Sequence, residues 1–277
     1  MANTEKPIEH ATQDAGANDL PAGRQGLEAE EAHAEEGGGS ELHISLAADP
    51  IFHIGGFSVT NALLVTWIAS AILLMTALRF RRVVRAIPGR FQALLELVFE
   101  ALLGFMDGIT GSRQKTQRFG PITLTIFFLV LVANWLELFP GFESIFVNDV
   151  PLLRAPSSDF NLTLSIALIA VISTHVLGVR TLGAVKHAKK YVSANPINTF
   201  VGIIEIIGDI AKILSFSLRL FGNIFAGSIL LLVIGFLVPW GAPLPFMALE
   251  LIVGLIQALV FSVLTLVFMT MATEEHH

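Results

Sequence analysis

The sequence predicts an all-α integral membrane protein: five membrane-embedded helices plus one interfacial amphipathic helix, the last two spans long and steeply tilted as a hairpin. Three observations predict it. Of 277 residues, 53% are hydrophobic and only 14% charged, with mean hydropathy +0.70, whereas soluble domains carry about 25% charged residues. The apolar residues gather into runs long enough to cross a bilayer core of roughly 30 Å. The few ionisable residues inside the last runs fall on shared helical faces.

Residues 1–48 stand apart as an acidic, mostly disordered tail, with residues 49–277 as the membrane domain. The tail holds ten of the 23 acidic residues against Lys6 and Arg24, and its Glu/Ala/Gly composition buries too little apolar surface to offset ordering. A short helix over Leu27–Glu36 is the one element expected there. His10, His33 and His43 are too sparse to build a metal site, and with no cysteine there is neither a disulfide framework nor a thiolate site. No metal, cofactor or nucleic-acid partner is expected. The single tyrosine against 21 phenylalanines suits a lipid-facing exterior, where an unpartnered hydroxyl is costly.

The first span, about residues 60–80, ends in Arg79, Arg81, Arg82, Arg85 and Arg90. Residues 91–110 follow, with Glu96, Glu100 and Asp107 spaced by four and seven on one face. That pattern describes an interfacial helix rather than a span. Arg113, Lys115 and Arg118 then form a second basic cluster. The second span, 120–139, carries Asn134 and Glu137 near its far end. The loop from 140 to 160 is acidic (Glu143, Asp149, Asp159), and the third span, 160–183, contains His175 and is followed by Arg180, Lys186, Lys189 and Lys190. Basic loops mark the cytoplasmic side, and every loop agrees on one topology: N-terminus outside, C-terminus cytoplasmic.

From Asn198 to Val238 run 41 residues without a proline. As one helix that is roughly 60 Å, twice the hydrocarbon thickness, so a strongly inclined helix over 198–238 is expected, partnered by a second long one over 243–273. Ionisable residues at such depth are expensive and mark function. At about 100° per residue, Glu205, Asp209, Lys212, Arg219 and Asn223 fall within roughly 80° of one another. Glu250 and Gln257, seven apart, repeat the pattern on the last helix. Glu205, Asp209 and Lys212 are spaced to pair among themselves. Arg219 is not, because its own helix offers no acid within ten positions except Asp209. An arginine does not release its proton. It acts as a fixed charge that repels cations and favours the ionised form of a carboxylate beside it. That carboxylate is Glu250 or belongs to another subunit.

These residues carry a resemblance. Ser215–Gly227, SFSLRLFGNIFAG, resembles the hallmark of the subunit a family of F-type ATP synthases. The ending QALVFSVLTLVFMTMATEE, the span PITLTIFFLVLVANWLELFPG and the entry APSSDFNLTLSIAL are similar to that family as well, over roughly residues 50–275. The resemblance implies a multi-pass stator subunit of a bacterial inner (plasma) membrane. It implies packing against a ring of c subunits, with peripheral-stalk b subunits completing the stator of the whole synthase. It also implies two offset half-channels separated by the arginine matched by Arg219, with Asn223 and Gln257 as its neighbours. The family's exchangeable pair near the outer half-channel corresponds to Ser228 and Glu250, which makes Glu250 the outer proton relay. Glu137, Asn134 and Asp159 are placed toward the same side; His175 either joins them or bridges helices. Glu205 and Asp209, with Lys212 and Ser215 nearby, become inner half-channel candidates. Two alternatives remain: a secondary ion transporter, which would bring an internal repeat the sequence lacks, and a structural scaffold using its charges for assembly. The chain has no phosphate loop, HExxH or GxSxG, so no catalytic chemistry is expected of it alone.

Overall fold

Thr60 starts the first long helix: its hydroxyl accepts the Leu63 N–H at 3.3 Å, capping α1 (Asn61–Val83). Such a cap satisfies one of the orphan donors of the first turn. Arg81 and Arg82 sit in the last turn, where the helix dipole favours cations. The computed structural model describes residues 50–54, 57–84, 88–139, 146–147, 150–191, 196–238 and 240–274. The expected helix at 27–36, the three tail histidines, Arg85, Glu143 and Asp149 lie outside the described residues.

Six further helices follow: α2 (Arg90–Thr110), α3 (Arg113–Glu137), α4 (Phe160–Leu182), α5 (Ala184–Tyr191), α6 (Pro196–Leu237) and α7 (Pro243–Thr273). Five of the described helices are long and apolar enough to cross a membrane: α1, α3, α4, α6 and α7. α2 is not among them. It ends at Gly111, whose φ of 65° places it in the left-handed region that glycine adopts at least cost.

Three features differ from the sequence expectation. α3 begins at Arg113, not near residue 120, so the basic cluster rides on its first turns. Pro121 inside α3 reads as a boundary because it removes a helical hydrogen bond. Packing overrides it: Phe119, almost fully buried, meets Met106, Leu177, Leu266 and Met269 from three other helices. The basic segment after α4 forms the helix α5, where a loop was expected. Two small antiparallel hairpins also interrupt the helical architecture. One pairs β1 (Pro50–Ile54) with β2 (Phe57–Thr60), the other β3 (Phe146–Val147) with β4 (Val150–Pro151). The Gly55–Gly56 pair between two β-rich runs was the available signal for the first.

α6 is one continuous helix of 42 residues. Its inner stripe, Phe216, Leu220 and Ile224, packs into a core with Ile126, Phe127 and Val130 of α3, Ala167 and Ala170 of α4, and Ala258 and Phe261 of α7. Phe216 and Phe261 stand 4.9 Å apart between ring centroids. The opposite side of α6, including Ile203, Ile207, Ile210, Leu214 and Leu218, is exposed. One face of a very long helix is thus pinned to the bundle while the other is left open.

Candidate functional site

The stripe on α6 resolves into three polar levels, separated by helix geometry. Asp209 lies ten residues before Arg219 and Ser228 nine after it, roughly 15 Å and 14 Å along the axis.

At the first level Asp209 is the hub. Its Oδ1 accepts from Lys212 Nζ at 2.8 Å. Its Oδ2 accepts from the Tyr191 hydroxyl at 3.2 Å and lies 3.4 Å from His175 Nε2. Tyr191 also meets His175 Nδ1 at 3.3 Å. Lys212 Nζ sits 4.6 Å from the Phe268 ring centroid of α7, a cation–π contact that holds the ammonium in an apolar wall. Burial pushes the Tyr191 phenol up, and the negative charges of Asp209 and Glu205 and the hydrogen bond to Asp209 push it the same way. The phenol therefore keeps its proton.

At the middle level Arg219 Nη2 donates to Ser215 Oγ at 3.3 Å, and Asn223 Nδ2 donates to Gln257 Oε1 at 3.0 Å, joining α6 to α7. Among the described residues Arg219 forms no ion pair. Behind this level, on the buried side, Ser217 and Thr163 share a hydroxyl–hydroxyl bond of 3.0 Å that fixes α6 against α4.

At the third level the Ser228 hydroxyl donates to Glu137 Oε1 of α3. Glu250 is buried, with its carboxylate lodged where a side chain on Gly227 would stand. One turn along α7, a Cβ on Gly254 would lie 3.2 Å from Asn134 Cβ, so a glycine lets α7 approach α3 here. Trp135 Nε1 donates to the Leu251 carbonyl across the same seam at 3.2 Å. Asn134 is buried and accepts from Ser157 Oγ at 2.7 Å. Asp159, also buried, caps α4 by accepting the Asn161 N–H at 2.9 Å.

The residues singled out in the sequence therefore sort into groups. Glu250, Glu137, Ser228 and Asn134 come together. Asp159 lies in the adjoining turn with its carboxylate committed to a helix cap. Two placements become more definite. His175 does not join the Glu137 group: it lies 15 residues into α4, roughly 22 Å from its start, and bridges α4 to α6 through Asp209. Ser215 accompanies Arg219 rather than the acids of the first level. Sequence reasoning missed Tyr191 and His187, both on α5. Their rings stand 5.7 Å apart, with His187 also 5.7 Å from His175. The lone tyrosine of a phenylalanine-rich chain, at the end of a basic amphipathic stretch, was the signal. The groups can carry protons through acids, a histidine and hydroxyls. Among the described residues no cluster of three or more His, Cys, Asp or Glu is arranged to hold a metal.

Residues 63–270 match the family described as ATP synthase A chain. Similar proteins include ATP synthase subunit a of Campylobacter fetus subsp. fetus, 34% identical over 235 residues, covering 83% of this chain and 98% of that protein. ATP synthase subunit a of Mycobacterium ulcerans is 33% identical over 227 residues, 79% of this chain and 90% of its own length. The subunit a of Syntrophobacter fumaroxidans is 33% identical over 227 residues, covering 80% and 88% respectively.

Proposed function

The chain belongs to the ATP synthase A chain family, and from that premise we propose that Arg219 is the fixed charge separating two offset half-channels, one reaching Glu250 and the other Asp209. The protein is the proton-translocating stator subunit of the synthase and not a catalytic subunit. It is a membrane protein that assembles into that complex, and its relatives are bacterial.

One observation carries the proposal. Arg219 has no acidic partner among the described residues, while acid groups lie a helical distance to either side of it. A permanent cation so placed blocks a proton from passing directly between them, and it favours the ionised form of a carboxylate brought beside it. The carboxylate is supplied by a ring of c subunits. The exposed flank of α6 at Leu218, Gly222 and Asn223, continued by Ile252 and Ile256 of α7, suits a ring sliding past, being apolar apart from the arginine level. A carboxylate gives up its proton on one side of Arg219 and collects another from the opposite side only after the ring has turned. Peripheral-stalk b subunits hold the stator still.

The basic residues Arg79, Arg81, Arg82, Arg113, Lys115 and Arg118 gather at the ends of α1 and α3 where α4 also finishes, and the positive-inside rule makes that end cytoplasmic. The N-terminus then lies outside a bacterial inner membrane and the C-terminus within. Asp209, Glu205 and Lys212 belong to the inner path; Glu250, Glu137, Ser228 and Asn134 belong to the outer one.

Because the chain has no cysteine, an introduced one is unique within it. With Ser228→Cys and Glu205→Cys in assembled complexes, a membrane-impermeant thiol reagent is expected to label the first only in right-side-out vesicles and the second only in inverted ones. Labelling of both from the same face would overturn the two-path reading.

A further inference from the structure

α5 is fitted onto the bundle by two glycines. At Gly178 of α4 a Cβ would stand 2.8 Å from His187 Cε1 and 2.9 Å from Nδ1; the missing side chain makes room for that imidazole. At Gly202 of α6 a Cβ would come within 2.6 Å of the Tyr191 carbonyl carbon and 2.8 Å of its Cα. There the backbone of α5 lies directly on α6. A surface loop needs neither accommodation. Together they hold Tyr191 between a histidine of α4 and an aspartate of α6.

The two oxygens of Asp209 have separate partners. Lys212 takes Oδ1, which fixes the carboxylate's orientation, while Oδ2 faces both Tyr191 and His175. About a third of the His175 side chain is open, against 17% for Asp209, so the imidazole is the more accessible end of the pair. The groups that face His175 are Tyr191 and His187 from α5 and Asp209 from α6, with Lys212 paired to Asp209 and the charge of Glu205 acting on Tyr191.

We propose that α5 completes the inner proton path, with His175 and Tyr191 handing protons to Asp209, so that proton supply on this side depends on these two residues and not on the acids of α6 alone. The proposal rests on the reading of Arg219 as the barrier between two paths. In the direct route the His175 Nε2–H bond breaks as an O–H bond forms on Asp209 Oδ2, leaving a neutral imidazole and a neutral carboxyl. In the second route the Tyr191 O–H proton goes to Oδ2 while the oxygen takes a proton from His175 Nδ1, and the hydroxyl ends as it began. Tyr191 serves only as a neutral hydroxyl, consistent with a phenol that holds its proton tightly. Imidazole suits the accessible end because its two ring nitrogens let it take a proton on one side and pass one on from the other.

The test uses vesicles carrying the assembled synthase, reading passive proton conductance of the membrane sector after removal of the soluble head, together with ATP-driven pumping. His175→Ala is expected to lower conductance roughly 10-fold or more, a loss on the scale of a removed proton-transfer group, and millimolar imidazole on the α5 side restores it several-fold. Tyr191→Phe, which removes one oxygen and keeps the ring, lowers it about 3-fold. His175→Gln separates relay from clamp, since the amide can bridge Tyr191 and Asp209 but cannot carry a proton at neutral pH. A relay leaves Gln as poor as Ala, whereas wild-type conductance in His175→Gln overturns the proposal. So does wild-type conductance in both His175→Ala and Tyr191→Phe, or a His175→Ala defect that imidazole does not relieve. Failure of all three variants to assemble would mark the triad as a structural clamp and also overturn it. Pumping by Arg219→Ala complexes would instead remove the parent reading, whatever the relay variants do.

Discussion

The two polar groups flanking Arg219 are built differently. Around Glu250 the polar atoms are buried among α3, α6 and α7, and space for the carboxylate is made by omitting a side chain at Gly227. Around Asp209 the groups are half-open and joined by charge: an ammonium, a carboxylate, an imidazole and a phenol within hydrogen-bond reach. A buried group shielded from water tolerates little change, because water cannot stand in for what is lost. A half-open, multiply connected group has alternatives to any one member. The difference teaches that the same helix carries a buried polar group on one side of its arginine and a half-open, multiply connected one on the other.

Replacing single acids probes that contrast most strongly. Glu250→Gln is expected to lower ATP-driven pumping roughly 100-fold, the order of a lost proton-transfer group. Glu205→Gln, by the same assay, is expected to cost no more than about 3-fold, because Asp209 and water remain to carry protons past it. Equal losses at both sites would erase the contrast.

Glycine positions on α6 sharpen it next. Gly227→Val places atoms where the Glu250 carboxylate lies, so about 1–3 kcal/mol of overpacking is expected. Thermal unfolding of the solubilised complex should report that cost, alongside a pumping loss that approaches Glu250→Gln. Gly208→Ala on the same helix meets nothing within 4 Å and is expected to be neutral or stabilising by up to about 1 kcal/mol.

The smallest effect sits outside both groups and serves as a baseline. The Thr116 hydroxyl, then the Arg113 guanidinium 2.7 Å away, hold the Asp107 carboxyl below its ordinary value against an opposing contribution from burial. A carboxyl depressed on folding contributes stability above its unfolded pKa and loses it as pH falls through the folded one. Asp107→Asn is therefore expected to lower the unfolding midpoint by no more than about 2 °C at neutral pH. The gap to wild type should close below about pH 4, the ordinary aspartate range. A gap that widened in acid would reverse the sign argued here.

How much of this was legible in the sequence follows from which interactions are local. Hydropathy and helical spacing are local, so the five spans, the unbroken α6 and the common face of Glu205 through Asn223 were readable. Arg113–Gly120 was not recognised as helix because the signals at hand, basic residues and then Pro121, are those of a boundary. What overrides them is the burial of Phe119 by residues up to 150 positions away, such as Met269. α5 is eight residues long, too short for its periodicity to stand out. His175 and its neighbours sit on three helices, and the lodging of Glu250 against Gly227 joins two. Spacing along one helix does not encode either meeting. Arg219 and Asn223 stood out by spacing alone, and the SLRLFGN stretch added the resemblance that ties them to Gln257 on the next helix, to which Asn223 donates.

The central claim is that Arg219 keeps the buried path and the open path apart. The measurement that tests it most directly is proton flux through the assembled membrane sector of Arg219→Ala, read both as ATP-driven pumping and as passive leak. The account predicts that pumping is abolished with assembly intact, while protons cross without driving or requiring rotation of the ring. Pumping near the wild-type rate would contradict it and leave Arg219 as a structural charge.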